Sequence, residues 1–379
     1  VTRVLVNLTW LVPGVVGGSE EATTAALRAL ASAPERDGLD VHLAILAPFR
    51  AAHPDLVDAF DTVTLDLDGS SVVRRVLADQ SWLAAQAGRL GADVVHHAGG
   101  VVPLRHPGRT VLTVHDLQPL DLPGNFTRTK RTYLRLMSRR SFRAADVVVV
   151  PSRFTAERVR AHGAPAGTPI RVVPWAVGDV PGPGDPAPSI AAELDGHPYL
   201  LYPAITYPHK GHLLLLEACA RVVSARPEVR LVLTGRAGPL EDQVAERAAR
   251  PDLAGRVLRT GRLPAAQLDR LRRGAAAVVV PSEYEGFGLP ALEAMRDGVR
   301  VLVSSAGSLP EVVLADDVVA SADPGAWAAA VTSVLDEGPE VRRRHLAEAR
   351  ERAATFSPQR TASGLAAAYR EAAGERVDR

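Results

Sequence analysis

The chain has 379 residues, 46% of them hydrophobic, enough for two ordinary domains each with its own core. Its formal net charge of +1 leaves no global field to attract nucleic acid. A single cysteine, Cys219, excludes a disulfide framework and suits a reducing compartment; set in the apolar helical stretch LLLLEACARVV, it reads as a buried core residue.

From the start, VTRVLVNLTW lacks the long apolar centre of a signal peptide and reads as a strand. Gly17-Gly18 and a helix with Ser19 as N-cap follow. Residues 40–46, 92–97, 110–116 and 145–152 are further strands. Their continuous Val/Leu runs indicate parallel strands covered on both faces. Residues 174–198 are crowded with Pro and Gly and read as an interdomain linker. The alternation then restarts: strands at 198–204, 229–235, 256–261, 275–282 and 300–305, separated by helices at 210–226, 239–249, 264–273 and 289–297. An amphipathic helix closes the pattern at 360–373. The stretches ADVVVVPSRFTAERV (145–159) and AAAVVVPSEYEGFGLPALEAM (275–295) share one style. They imply two doubly wound α/β domains facing a cleft, split at 1–180 and 181–356; the docking of the closing helix is not set by sequence, and 357–379 is a candidate to pack back on the first. No apolar run reaches the roughly 18 residues of a membrane span.

The informative stretch is EYEGFGLPALEAM (283–295). Pro290 suits the first turn of a helix, where its missing N–H costs nothing. The loop before it therefore lies at the carboxyl end of a parallel strand, where open α/β sheets bind ligands. Gly286 and Gly288, flanking Phe287, let backbone approach closely, and free N–H groups near Leu289 favour an anion. Glu285 and Glu293 would repel a phosphate, so they are expected to accept hydrogen bonds from hydroxyls on either side of it. A nucleotide sugar supplies both, with hexose at Glu285 and ribose at Glu293.

These residues carry a resemblance. PSEYEGFGLPALEAMRDGVRVLVSSAGSLPEV is similar to the donor-site signature of the retaining glycosyltransferases of family 4, which have the GT-B fold. GVVGGSEE (14–21), VLTVHDLQPL (111–120), ADVVVVPSRFTAERV and YPHKGHLLLLEA (207–218) extend it over most of the chain. The resemblance implies retaining transfer of a hexose, mannose or glucose, from a GDP- or UDP-sugar to an acceptor alcohol. It also implies that the Gly17-Gly18 turn closes over the donor phosphates, and that His115 lies near the transferred sugar without being a nucleophile.

Only two of the 44 basic residues are lysine, Lys130 and Lys210, so a lysine hints that a compact ammonium is wanted. Lys210, between a strand and a helix, can reach a diphosphate as a point charge. The family commonly has an Arg six residues earlier; here Ala204 stands there, and Arg236 is a candidate substitute. Catalytic roles thus fall to His115, Lys210 and Glu285. Donor binding falls to Gly17, Gly18, Lys210, Arg236, Glu285, Gly286, Phe287, Gly288, Leu289 and Glu293.

No metal or other cofactor is expected. His96-His97 and His209/His212 lack a ligand pattern, and LDLD (65–68) reads as a strand end. The segment 128–143 carries seven basic residues, with Arg128, Arg131, Arg135, Arg139 and Arg143 on one face and Tyr133, Leu136 and Met137 opposite. It is either a solvated face or a contact with anionic lipid, which leaves a lipid-linked acceptor open. The expected setting is cytoplasmic, with peripheral contact at the inner membrane face as the alternative to a fully soluble enzyme. Two other readings remain: another GT-B enzyme such as a sugar-nucleotide epimerase, and a nucleotide-sugar-binding module without catalysis.

Overall fold

The computed structural model describes residues 1–178, 188–194 and 196–375, apart from the side chains of Lys130, Pro188 and Ser189. Most of the proline-rich linker, 179–187 and Asp195, lies outside the described residues, as do 376–379. The chain forms two compact units, Val1–Gly178 with Phe356–Arg379, and Asp179–Thr355.

In unit 1 the strands are β1 (Thr2–Asn7), β2 (Leu39–Leu46), β3 (Asp61–Leu65), β4 (Val94–His97), β5 (Arg109–Thr113), β6 (Val147–Val150) and β7 (Ile170–Val172). They pair in the order 3-2-1-4-5-6-7, all parallel. Unit 2 repeats the scheme with β8 (Tyr199–Pro203), β9 (Arg230–Thr234), β10 (Val257–Gly261), β11 (Ala277–Val280), β12 (Arg300–Ser304) and β13 (Val318–Val319) in the order 10-9-8-11-12-13. Val4–Val6, Val147–Val150 and Ala277–Val280 are almost wholly buried, as strands covered on both faces must be. Each order reverses direction once, between β1 and β4 and between β8 and β11. These are the switch points where a doubly wound sheet opens a crevice at its carboxyl edge.

Seven helices matter below: α1 (Gly18–Ser32), α2 (Val72–Leu90), α3 (Arg128–Ala144), α4 (His212–Ala225), α5 (Ala265–Gly274), α6 (Leu289–Arg296) and α7 (Pro358–Ala373). The N-cap of α1 is Gly17 rather than Ser19. Gly17 has φ 79 and ψ −140, a conformation open to glycine, and Ser19 falls inside the first turn without a side-chain cap bond. In α3 the buried face is Ser138, Ser141 and Phe142. Tyr133 and Leu136, expected opposite the arginines, are exposed as the arginines are. Asp66 and Asp68 of LDLD lie past the end of β3, and Asp68 accepts from Ser70 N at 2.9 Å.

Helix α7 completes unit 1, starting at Pro358 after a Ser357 cap whose oxygen accepts from Arg360 N at 3.2 Å. Its small residues Ala362, Ala366, Ala368 and Ala372 are buried, and a Cβ on Gly364 would come within 2.8 Å of Val173. Close approach, not bulk, shapes this interface. At its centre the Tyr369 hydroxyl lies 2.9 Å from His96 Nδ1, whose Nε2 is 2.7 Å from Thr113 Oγ1. His96 is thus a satisfied core histidine. Tyr369→Phe should leave a buried ring nitrogen without its partner and lower the unfolding free energy by about 1–3 kcal/mol in urea titration.

Candidate active site

Two loops meet at the switch point of unit 2. The first leaves β8 at Ala204 and ends in a 3-10 turn, Pro208–Lys210, before α4. The second runs from Pro281 to Gly288, between β11 and α6. Backbone ties them: Glu283 N donates to His209 O at 2.7 Å. Between them Tyr202 donates to Lys210 O at 2.7 Å and lies 3.1 Å from Ser282 Oγ. Gly211, at φ 69, is pressed so close that a Cβ would stand 2.4 Å from Pro281 O. Only glycine fits there.

This zipper joins two side chains that are 75 residues apart. Lys210 Nζ donates to Glu285 Oε1 at 2.6 Å, and Ser282 Oγ donates to the same oxygen at 2.7 Å. The pair is largely shielded, with side-chain exposures of 21% and 15%. Separate placement of Lys210 on phosphate and Glu285 on hexose is therefore incomplete, because the two are bonded to each other. A third loop grips the carbonyls of the second. Ser308 N and Oγ donate to Glu285 O at 3.1 and 3.0 Å, and Ser308 Oγ reaches Phe287 O at 2.9 Å. Gly307, at φ 62, permits this because a Cβ would lie 2.4 Å from Glu285 O. With Glu285 O taken and Gly288 held at φ 114 as N-cap, the Gly288 and Leu289 amides at the start of α6 meet no protein acceptor among the described residues. Pro290 has no N–H. Open amides at a helix start can cradle an anion.

Glu293, on α6, accepts from Arg272 Nη1 at 3.0 Å. Arg272 is 2% exposed and divides its other nitrogens between Asp269 and Asp297, each at 2.6 Å. Burial opposes ionisation of Asp297, yet the guanidinium groups of Arg296 and Arg272 hold its carboxyl below the ordinary range. Glu293 is thereby fixed from behind by a buried charge network. Arg236 is exposed in the loop after β9. Gly235, next to it, lies so close to the chain at Ala204 that a Cβ would be 2.4 Å from Ala204 O, which places Arg236 beside the substituted position.

In unit 1, Gly17 and Gly18 open α1. Glu20, in its first turn, accepts from Gly14 N at 2.8 Å and meets His53 Nε2 at 3.2 Å. Thr23 of the same helix lies 3.4 Å from His115 Nε2. That nitrogen is also 3.1 Å from Ala98 O, to which it donates. Trp10 and Trp175 flank the ring, with centroids 5.8 and 5.5 Å away. Burial pushes the His115 pKa down to about 4, against the opposing Ala98 bond, so the imidazole is neutral near pH 7. Asp40, His42 and Asp61 bring ligand-type atoms within 4.8 Å of one another, but at the amino ends of β2 and β3, and Arg3 already engages Asp40 at 2.8 Å.

Among the proposed residues, Lys210, Glu285, Gly286, Phe287, Gly288 and Leu289 share one crevice edge. Glu293 is on the helix that follows, Arg236 is in the adjoining loop, and His115 lies under α1 in the other unit. Sequence reasoning missed Tyr202, Ser282, Arg272 and Ser308. The basic pair Arg272-Arg273 closing α5 and the SSAGS turn after β12 were the available signals.

A pair of doubly wound parallel domains, one with this cradle at its switch point, defines a GT-B protein. Residues 16–178 match the model of Glycosyltransferase Family 4 and residues 188–352 that of Glycosyl transferases group 1. A D-inositol 3-phosphate glycosyltransferase of Segniliparus rotundus is 32% identical over 355 residues, covering 88% of this chain and 76% of the relative. The O-antigen chain mannosyltransferase B of Escherichia coli is 29% identical, covering 68% of each. The crystal structure of Anabaena HepE in complex with UDP and glucose superposes with a TM-score of 0.71 at 18% identity, covering 97% of this chain and 98% of that one. The chain belongs to glycosyltransferase family 4, and it is a hexosyltransferase.

Two outcomes test this architecture. Arg272→Met should release Glu293 and leave the buried Asp269 and Asp297 with only the more exposed Arg273 and Arg296 as partners, lowering stability by about 3–5 kcal/mol. In whatever fraction stays folded at low temperature, affinity for the nucleoside diphosphate should fall as it does in Glu293→Ala. Separately, burial lowers His96 and His97 to about 3, and His209 and His212 to about 4, from 6.5 in the unfolded chain. The unfolded chain then binds protons that the native state refuses. The stability these groups confer is complete above pH 6.5 and declines as pH falls toward 4, by up to about 1.4 kcal/mol per unit for each imidazole. Calorimetric unfolding across that range should show the slope, and a flat profile would contradict it.

Proposed function

We propose that this chain moves a hexose, glucose or mannose, from a UDP- or GDP-sugar to an acceptor alcohol with retention at the anomeric carbon and without a metal ion. The observation that carries the reading is the Lys210–Glu285 pair set against the open amides of Gly288 and Leu289. As the bond from the anomeric carbon to the phosphate oxygen breaks, negative charge grows on the leaving diphosphate. Lys210 and those amides are arranged to meet it, and charge stabilisation of this kind is the largest single catalytic contribution open to the site. Glu285 accepts hexose hydroxyls with its remaining lone pairs, and Glu293 accepts those of the ribose.

The acceptor oxygen forms its bond to the anomeric carbon on the face the phosphate leaves. Its proton passes to the leaving phosphate oxygen, so no protein base is consumed. His115, neutral and donating through Nε2, is a positioning group near the sugar rather than a nucleophile. Two relatives support the choice of donor: HepE holds UDP and glucose, and the Escherichia coli relative is by name a mannosyltransferase. The reaction is assigned to the cytoplasmic compartment.

Screening UDP, GDP and ADP by thermal shift should single out one diphosphate, since a ligand of the native state stabilises it by mass action. With that donor, Lys210→Ala should lower kcat about 10- to 150-fold, matching a lost charge-assisted bond of roughly 1.5–3 kcal/mol. Turnover should persist in EDTA. A defect confined to KM, or activity that needs added Mn²⁺, would remove this mechanism.

A further inference from the structure

Glu285 is held by two donors on one oxygen. Oε1 receives the Lys210 ammonium at 2.6 Å and the Ser282 hydroxyl at 2.7 Å, which occupy both of its lone pairs. Oε2 meets no donor among the described residues, and 15% of the side chain stays open to solvent. The two donors differ in kind. Ser282 is wholly buried, and its carbonyl accepts from Ser304 Oγ at the end of β12. Three residues on, the Glu285 carbonyl is gripped by Ser308 N and Oγ. Both ends of the Ser282–Glu285 turn are thus pinned by the stretch 304–308, which fixes the hydroxyl beside the carboxylate. The single proton of that hydroxyl has one competing acceptor, the Tyr202 oxygen at 3.1 Å, and the closer, charged oxygen of Glu285 takes it. Tyr202 in turn gives its own proton to Lys210 O at 2.7 Å. Burial keeps that phenol protonated, with its pKa well above the ordinary value.

Lys210 is held only at its backbone. Its N–H donates to Tyr207 O at 3.0 Å, and its carbonyl accepts from Tyr202. The ammonium stands at the end of a four-carbon stem, in a side chain 21% exposed, and bonds Glu285 alone among the described residues. Such a stem can swing without moving the loop that carries it. A diphosphate seated on the open amides of Gly288 and Leu289 carries more negative charge than one carboxylate and competes for the ammonium. The competition acts on the lysine and not on the serine, whose hydroxyl is neutral, buried and pinned.

We propose that Ser282 is a positioning residue for the transferred hexose. When the donor diphosphate draws Lys210 away, Ser282 keeps Glu285 Oε1 in place, and Oε2 is the oxygen left for the sugar hydroxyls. The inference rests on the nucleotide-sugar reading above and deepens it, because it assigns one atom to the hexose and one residue to holding that atom. Ser282 touches neither sugar nor phosphate and acts through Glu285. Without it, one ammonium would have to serve the carboxylate and the phosphate at once.

The probes are UDP, UDP-glucose, GDP and GDP-mannose, each titrated calorimetrically into the full chain. Ser282→Ala should weaken binding of the preferred nucleotide sugar at least about tenfold, while the Kd of the matching nucleoside diphosphate, which has no hexose, stays within about a factor of two. Ser282→Cys keeps the shape but offers only a weak donor. It should follow Ser282→Ala, and it carries the comparison if the alanine variant does not fold. If it follows wild type instead, the residue acts by packing and the proposal falls. A cycle with Lys210→Ala tests the handover. If Lys210 has left Glu285 in the complex, Ser282→Ala should weaken the nucleotide sugar by the same factor with and without the lysine. A much larger loss in the Lys210→Ala background would mean that the lysine stays on Glu285, and would overturn the proposal. So would a loss shared equally by nucleoside diphosphate and nucleotide sugar, or no loss at all. Failure of the donor reading would appear elsewhere, as binding of neither nucleotide sugar by wild-type protein.

Discussion

The bond between Lys210 and Glu285 organises the donor edge of unit 2. An ammonium and a carboxylate at 2.6 Å, mostly out of water, require that the loops carrying them be held in register. The surrounding contacts do this: the His209–Glu283 backbone bond, the Tyr202 hydroxyl between Lys210 and Ser282, and Ser308 behind Glu285. Each of these groups is polar and shielded, and each has a partner, as the cost of burying polar groups demands. The pair also neutralises itself. Neither charge needs a ligand to be tolerated, yet both point to an edge where backbone amides remain available.

Glu285 and Glu293 show two ways of holding a carboxylate. Glu285 is braced from the front, by a lysine that a phosphate can share. Glu293 is braced from behind, by an arginine that is almost wholly buried and committed to Asp269 and Asp297 as well. Removing the front brace changes the charge beside the open amides, whereas removing the back brace frees Glu293 and takes a buried guanidinium from Asp269 and Asp297.

Much of this was legible in the sequence because it is local. Continuous valine runs marked parallel strands, and Gly288 with Pro290 marked a helix start at the end of one of them. The Glu-x₇-Glu spacing placed one carboxylate in the loop and one on the helix. What was not legible depends on distant pairing. Nothing near Lys210 in the chain announces Glu285, and nothing near Glu293 announces Arg272. Local chemistry also misled where backbone geometry prevailed. Ser19 is a good capping residue, but Gly17 accepts a positive φ that serine resists, and the helix begins there. On α3 the periodicity separated arginines from Tyr133 and Leu136 correctly, but it could not tell that neither side is the buried one. The buried residues are Ser138, Ser141 and Phe142, and the loop at 101–104 is met by Ser141 Oγ, accepting from Val102 N at 2.9 Å, and by Arg140, donating to Val102 O at 2.9 Å.

The return of α7 to unit 1 has a consequence for biosynthesis. Residues 358–373 are translated after all of unit 2, yet they cover β1, β4, β5 and β6 and supply Tyr369 to His96. Thr2 bonds to Glu375, across almost the whole chain. Unit 2 is continuous and can close as it leaves the ribosome. Unit 1 must wait, its sheet short of one covering helix while nearly two hundred further residues are made. Domains ordinarily fold in order of synthesis. Here the second is placed to finish first, and the first keeps an apolar face uncovered until α7 has been made.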